Sequence, residues 1–279
     1  MPGVKIVTDS SCDLPDELVE SHRIAVVPLT VRFGEEEFVD RVDLDASEFW
    51  KRCAAADVLP ETSAPSPGAF EEVYRDALAD GYDSVVAVML SGDLSATIQA
   101  AEAAARSVTD DIAVHVVDSK TVTMGLGNLV LRAARLAEGG ATAEEVADRA
   151  RSDARRTRAF AALDTLENLR KGGRIGAARS MLGSLLSIKP IIEVKDGSVV
   201  EAGKQRTRAR ALKLLAEKVR EHSPVESLAV MHADCPDVDR FVATLNEVYD
   251  DEIVVGEIGA VIGAHAGPGT MGITFLVSE

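Results

Sequence analysis

The chain has 279 residues, 46% of them hydrophobic but only 4% aromatic, and a formal net charge of −16. That length holds one large domain or two ordinary ones, with a core built mostly from Ala, Val, Leu and Ile. No apolar run reaches the roughly 18 residues of a membrane span, and acidity on this scale argues against general nucleic-acid binding.

From the N-terminus, "MPGVKIVTDS" carries no signal-peptide pattern. "VKIVT" (Val4–Thr8) reads as a buried strand and "DSSCDLP" as the loop after it. "IAVVPLTVRF" (Ile24–Phe33) reads as a second strand. Asp45 with Glu48 predicts a capping-box-like start for a helix around "SEFWKRCAAA". "ETSAPSPG" reads as a Ser- and Pro-rich loop. Phe70, Val73, Tyr74, Ala77 and Leu78 then follow the 3.6-residue period of one buried helix face. "SVVAVML" (Ser84–Leu90) and "AVHVVDS" (Ala113–Ser119) are further strands, with helices expected from Ser95 and after Gly125.

Apolar strands alternating with helices predict an α/β fold: a mostly parallel sheet covered by helices on both faces. Three of the strands end in polar groups: Thr8-Asp9-Ser10-Ser11, Ser91-Gly92-Asp93-Leu94-Ser95 and Asp118-Ser119. Ligands of open α/β sheets sit at such carboxyl ends, although Ser and Asp there also cap the following helices.

Near residue 150 the composition changes. Residues 1–150 hold 12 Lys/Arg and 28 Asp/Glu, whereas residues 151–279 hold 18 of each. The shift predicts two units, 1–156 and 157–279, the second of α+β type. Thr142 with Glu145 predicts another capped helix, and "TRAFAAL" a strand. "DTLENLRKGGR" predicts a short helix with Asp164 as its cap and Gly172 as its stop. "IKPIIEV", Asp196-Gly197 and "SVVEAGK" form a strong hairpin signal. "TRARALKLLAEKVREH" predicts an amphipathic helix with Ala209, Leu212, Leu215, Ala216 and Val219 inward. "SLAVMHA", a helix from Pro236, "EIVVGEI" and "ITFLV" complete the layer.

Most catalytic templates are absent. The chain has no GxSxG elbow, no Walker loop and no GxGxxG. The cysteines Cys12, Cys53 and Cys235 form no CxxC, which predicts a reduced cytosolic set. "HADC" (His232–Cys235) lacks a second ligand cluster, so no metal site is predicted and His232 reads as structural. His115 lies inside an apolar strand and reads as a satisfied or edge histidine. "KGGR" (Lys171–Arg174) reads as a turn, since a helix C-terminus repels anions. "KQRTRARALK" (Lys204–Lys213), with Arg206, Arg208 and Arg210, suits an anionic group or acidic partner surface, or a solvated helix face. His265 stands in "GAHAGPGTMG", where Ala264, Ala266 and Gly267 leave its ring uncrowded and Gly267-Pro268-Gly269 predicts a sharp turn. The residues alone point to a two-domain α/β protein with a small anionic or polar ligand in its cleft.

The ordered set "TDSSCDLP", "VDL" at Asp43, "ETSAPSPGAF", "LSGDLSAT", "VVDSKTVTMGLG", "TLENLRKGGRI", "KPIIEVKDG", "QRTRAR" and "HAGPGTMG" resembles the DegV family of bacterial fatty-acid-binding proteins over nearly the whole chain. The resemblance implies two α/β domains with a long acyl chain buried between them. The carboxylate contacts carry over to Thr62, Ser95 and His265, and a partner-facing arginine to Arg206. It further implies a cytoplasmic carrier, without a cofactor, that presents the fatty acid to a separate ATP-dependent fatty-acid kinase. That kinase makes an acyl phosphate for phospholipid metabolism, with transient contact at membrane surfaces. Where the family has "SSGLSGT", this chain has "SGDLSAT". The extra carboxylate of Asp93 is unfavourable beside an anionic head group unless it points outward. A different reading of the residues is an enzyme acting on a phosphorylated metabolite at the Ser/Asp-rich strand ends.

Overall fold

The computed structural model describes residues 3–182 and 188–279. The first half supplies strands β1 (Val4–Asp9), β2 (Ala25–Val27), β3 (Thr30–Phe33), β4 (Glu36–Val39), β5 (Glu61–Ser63), β6 (Ser84–Met89) and β7 (Ala113–Asp118). Its helices are α1 (Asp16–Ser21), α2 (Ala46–Ala55), α3 (Pro67–Ala79), α4 (Thr97–Ser107), α5 (Thr123–Glu138) and α6 (Ala143–Arg156). The second half supplies β8 (Thr157–Ala162), β9 (Lys189–Lys195), β10 (Ser198–Gln205), β11 (Val225–His232), β12 (Val254–Glu257) and β13 (Met271–Val277). Its helices are α7 (Glu167–Lys171), α8 (Arg208–His222), α9 (Val238–Leu245) and α10 (Ala260–Ala266).

Among the described residues these strands form three sheets. The first is parallel, in the order β2-β1-β6-β7. Along β6, Val85, Ala87 and Met89 pack with Phe70 and Tyr74 of α3 and Ala101 of α4. Val86 and Val88 point the other way, toward Leu129 and Val130 of α5 and Val146 of α6. A strand buried on both faces needs this continuous apolar run, which is why β6 carries no polar alternation. The second sheet is mixed, in the order β10-β9-β8-β13-β11-β12, and draws every strand from residues 157–277.

The third sheet, β4-β3-β5, departs from the expected pattern. The run Ile24–Phe33 is two strands in two sheets, because Pro28 has no N–H for a ladder and breaks it. Glu61-Thr62-Ser63 is not loop but β5, antiparallel to β3 with Thr62 opposite Val31.

Other boundaries also move. Helix α4 begins at Thr97 and α5 at Thr123. Leu78 is exposed at 42% on α3. On α8 the inward set is Ala211, Leu215, Ala216 and Val219, with Ala209 exposed. Asp164 does not cap α7; it pairs with Lys189 Nζ at 2.6 Å, and the Thr165 hydroxyl accepts from Glu167 N–H instead. Thr142 and Glu145 form the full capping box of α6, and Asp196-Gly197 turns the β9–β10 hairpin with φ of 50° and 89°, as a two-residue type I′ turn requires.

Two features tie the halves together. Helix α10 packs on α2, where Gly263 lets Phe49 and Trp50 approach so closely that a Cβ would lie 2.6 Å from Phe49 Cε1. Trp50 Nε1 donates to Ile258 O at 3.1 Å just before that helix. At the α6–β8 junction, Asp153 accepts from Arg132, Arg149 and Arg156, and Arg132 and Arg156 reach on to Glu226 of β11.

Candidate functional site: a buried cavity with one polar end

The mixed sheet has two unlike faces. Phe160, Ile191, Val230, Ile273 and Phe275 pack under α8 and α9. The opposite face carries Ala159 and Ala161 on β8, Gly272 and Thr274 on β13 and Ala229 on β11. Register places Gly272 between Ala161 and Met231, and Thr274 between Ala159 and Ala229. Side chains this small cannot fill the space up to α5 and α10, so a cavity remains. Leu29, Leu90, Val122, Ile192, Val194, Val261 and Ile262 wall it. Counting the mouth where it meets solvent, about 910 Å³ is free of protein atoms.

Polar groups gather at one end. His265 lies in the last turn of α10, and its Nε2 is 2.9 Å from Thr62 Oγ1 on β5. The ring is not in an open loop. Room for it is made by Gly172, at the end of α7, where any Cβ would overlap Nδ1 and Cε1. Burial, and then the positive charge of Arg174, push the imidazole down to about 4, so it is neutral at pH 7. Its Nδ1 is buried with no hydrogen-bond partner among the described residues. A lone acceptor costs less than an orphaned N–H, which puts the proton on Nε2, donating to Thr62. The Thr62 hydroxyl then has its own proton free to donate.

Arg174 and Ser95 line the same cavity. Arg174 Nε donates to Leu94 O at 3.0 Å and its guanidinium also donates to Gly172 O at 2.6 Å. Ser95 Oγ is 2.9 Å from Thr97 Oγ1 and accepts from Thr97 N–H. Thr62, Ser95 and His265 therefore converge on one cavity, with Thr62 and His265 in direct contact. Arg206 does not line it; the residue is exposed between β10 and α8. Arg208 is not a free cation, since it holds Asp237 through two bonds of 2.7 and 2.9 Å.

Sequence reasoning missed Arg174, which reads as part of a turn until the fold brings Leu94 beside it. Asp93 points outward: its carboxylate is half-exposed and pairs with Lys120 at 3.1 Å.

Asp9, at the end of β1, is turned inward. Asp9 accepts from Leu90 N–H, Ser11 N–H and Ser11 Oγ, and Ser10 Oγ accepts from Leu29 N–H. Burial raises Asp9 to about 6, Asp40 to about 6 and Asp13 to about 8. Asp13 accepts from Thr123, whose φ of 49° is strained for a β-branched residue, and from Gly259 N–H ahead of α10. These groups hold the wall in place, and the positive charge of Arg41 acts on Asp13 and Asp40.

The imidazole is expected to titrate near pH 4 in nitrogen-15 NMR spectra. Because folding favours the neutral ring, its contribution to stability is complete above about 6.5 and is lost as pH falls toward 4. In Gly172→Ala the ring must leave its niche, and its titration should return toward about 6.5. An unchanged titration in that variant would refute the niche.

Comparison with known proteins agrees with this architecture. Residues 3–278 match the family model described as an uncharacterised protein of the DegV family. A DegV domain-containing protein of Streptomyces coelicolor is 37% identical, with 97% of each chain covered. A DegV family protein from Thermus thermophilus, described by its fatty acid binding, superposes with a TM-score of 0.89 at 33% identity over 99% of this chain and 100% of its own. DegV of Bacillus subtilis, described as a fatty acid binding protein, gives 0.88 at 32% identity with both chains fully covered. Matched from end to end in sequence and in fold, the chain belongs to the DegV family.

Proposed function

We propose that this protein binds a long-chain fatty acid in the cavity and presents its carboxylate to a partner fatty-acid kinase. The observation that carries the reading is one apolar space lined at its polar end by two hydroxyls, a buried neutral imidazole and a guanidinium. Thr62, Ser95 and His265 bind the head group. Arg174 supplies the positive charge that a carboxylate leaving water needs. A tail of about 15 methylenes gains at most about 12 kcal/mol from burial, at about 0.8 kcal/mol each, so the tail supplies affinity and the polar end supplies orientation. The fatty-acid-binding relatives support this assignment.

The finer parts of the proposal rest on the family resemblance. The cavity lies between domains 1–156 and 157–279. The chain is a cytoplasmic carrier, not a catalyst, and Arg206 meets the kinase from its exposed position in the basic segment Lys204–Lys213. The chain carries no nucleotide-binding motif of its own, and none of its described helices is long and apolar enough to cross a membrane.

Organic extraction of the denatured protein followed by mass spectrometry is expected to yield a fatty acid in near-stoichiometric amount. His265→Ala should weaken carboxylate binding by about 5- to 150-fold, the equivalent of roughly 1–3 kcal/mol. Arg206→Ala should leave lipid content unchanged and lower only kinase-coupled acyl phosphate formation, with strong salt dependence. Protein that neither carries nor takes up fatty acid would sink the reading.

A further inference from the structure

We infer that the cavity is built for an acyl chain bearing a hydroxyl near its middle, with Thr274 as the residue that recognises it. This rests on the fatty-acid reading above. Thr274 lies on β13, where Met271, Ile273 and Phe275 face the α8 side. Alternation turns Gly272 and Thr274 to the opposite, cavity face. Thr274 is 2% exposed and lines the cavity. Its Oγ1 has no hydrogen-bond partner among the described residues.

The other lining hydroxyls all have partners. Thr62 meets His265, Ser95 meets Thr97, Thr123 donates to Asp13, and Thr270 donates to Ala266 O and Gly267 O. Its register neighbours, Ala159 and Ala229, offer Thr274 no polar side-chain atom. A valine would have the same shape without the cost of an unpaired buried hydroxyl. The position also has a depth. Thr270, just before β13, bonds to the residue after His265, and Thr274 is four residues further along the chain. At roughly 3.3 Å per residue that is about 13 Å, the reach of about ten carbons of an extended chain with bonds of about 1.5 Å. A hydroxyl at that depth can both donate to and accept from Thr274. A plain alkyl chain leaves it unpaired.

The test uses the delipidated full-length chain, with octadecanoate, 10-hydroxyoctadecanoate and 2-hydroxyoctadecanoate as probes, on wild type and Thr274→Val. The isosteric replacement should keep the fold, checked by an unchanged or higher melting temperature. The ratio of 10-hydroxy acid to octadecanoate affinity is expected to fall at least tenfold in the variant, with octadecanoate bound as well or better. The 2-hydroxy acid, whose hydroxyl sits at the head group, should show no such change. A 10-hydroxy ratio that stays within threefold, or an equal fall for the 2-hydroxy acid, overturns the assignment while leaving the fatty-acid reading intact. Failure of wild type to bind octadecanoate and both hydroxy acids overturns the fatty-acid reading instead, and this one with it.

Discussion

Asp153→Ala is expected to remove about 3–5 kcal/mol of folding stability, the cost of stripping one partner from a buried ion cluster. The Asp153 side chain is 1% exposed and takes bonds of 2.7 Å from Arg132, 3.0 Å from Arg149 and 2.6 Å from Arg156. Without it, three guanidiniums converge on a site where, among the described residues, Glu226 and Glu279 are the carboxylates left to answer them. Burial alone would raise this carboxyl, but the hydrogen bonds from Arg156 and Arg132 and the charges of Arg132 and Arg149 outweigh it, and its pKa lies below the ordinary value. The sign of the pH dependence follows. A depressed carboxyl stabilises the fold above its unfolded pKa of about 3.9 and loses that contribution as pH falls through the folded value. Chemical denaturation at pH 7 and at pH 3 should therefore show a smaller difference between wild type and variant at the lower pH. Equal midpoints at pH 7 would show that the cluster contributes nothing to stability.

Gly272→Leu is expected to cut affinity for a long-chain fatty acid by more than about 100-fold without harming the fold. A Cβ at Gly272 would sit 3.4 Å from Phe160 O and 3.6 Å from Met231 O, ordinary contact distances, so the backbone accepts it. The rest of the leucine enters the cavity. Displacing about four buried methylenes at about 0.8 kcal/mol each costs about 3 kcal/mol, or roughly 200-fold. Fatty-acid titration and thermal melting of the variant test both halves of the expectation. Undiminished binding would mean that the ligand does not lie against β13.

Much of the fold was legible because its elements have one-sided or uniformly apolar faces. Strand β6, the β9–β10 hairpin and the capped start of α6 each carry their signal within a few neighbouring residues. Strand β5 could not be read this way: Glu61-Thr62-Ser63 has no apolar alternation, and it is a strand only because β3 lies beside it. The break at Pro28 was visible as a residue but not as a change of sheet. The candidate site was less legible still. Thr62, Ser95 and His265 came from the family resemblance, and local composition misplaced the reason for the space around His265. That space belongs to Gly172, at the end of a different helix. Arg174 looks like a turn residue in the sequence because its bond to Leu94 spans 80 positions. Long-range pairings of this kind leave no periodic trace in the sequence.

The small residues on the cavity face of β8, β11 and β13 place binding and robustness in opposition. Every enlargement at Ala159, Ala161 or Gly272 that packs without clash would fill space that now holds no protein atoms, and filling such space raises stability. Selection for heat resistance alone would therefore drift toward larger side chains at these positions and close the site. Their smallness is kept against that pull only where retention of a ligand is itself selected.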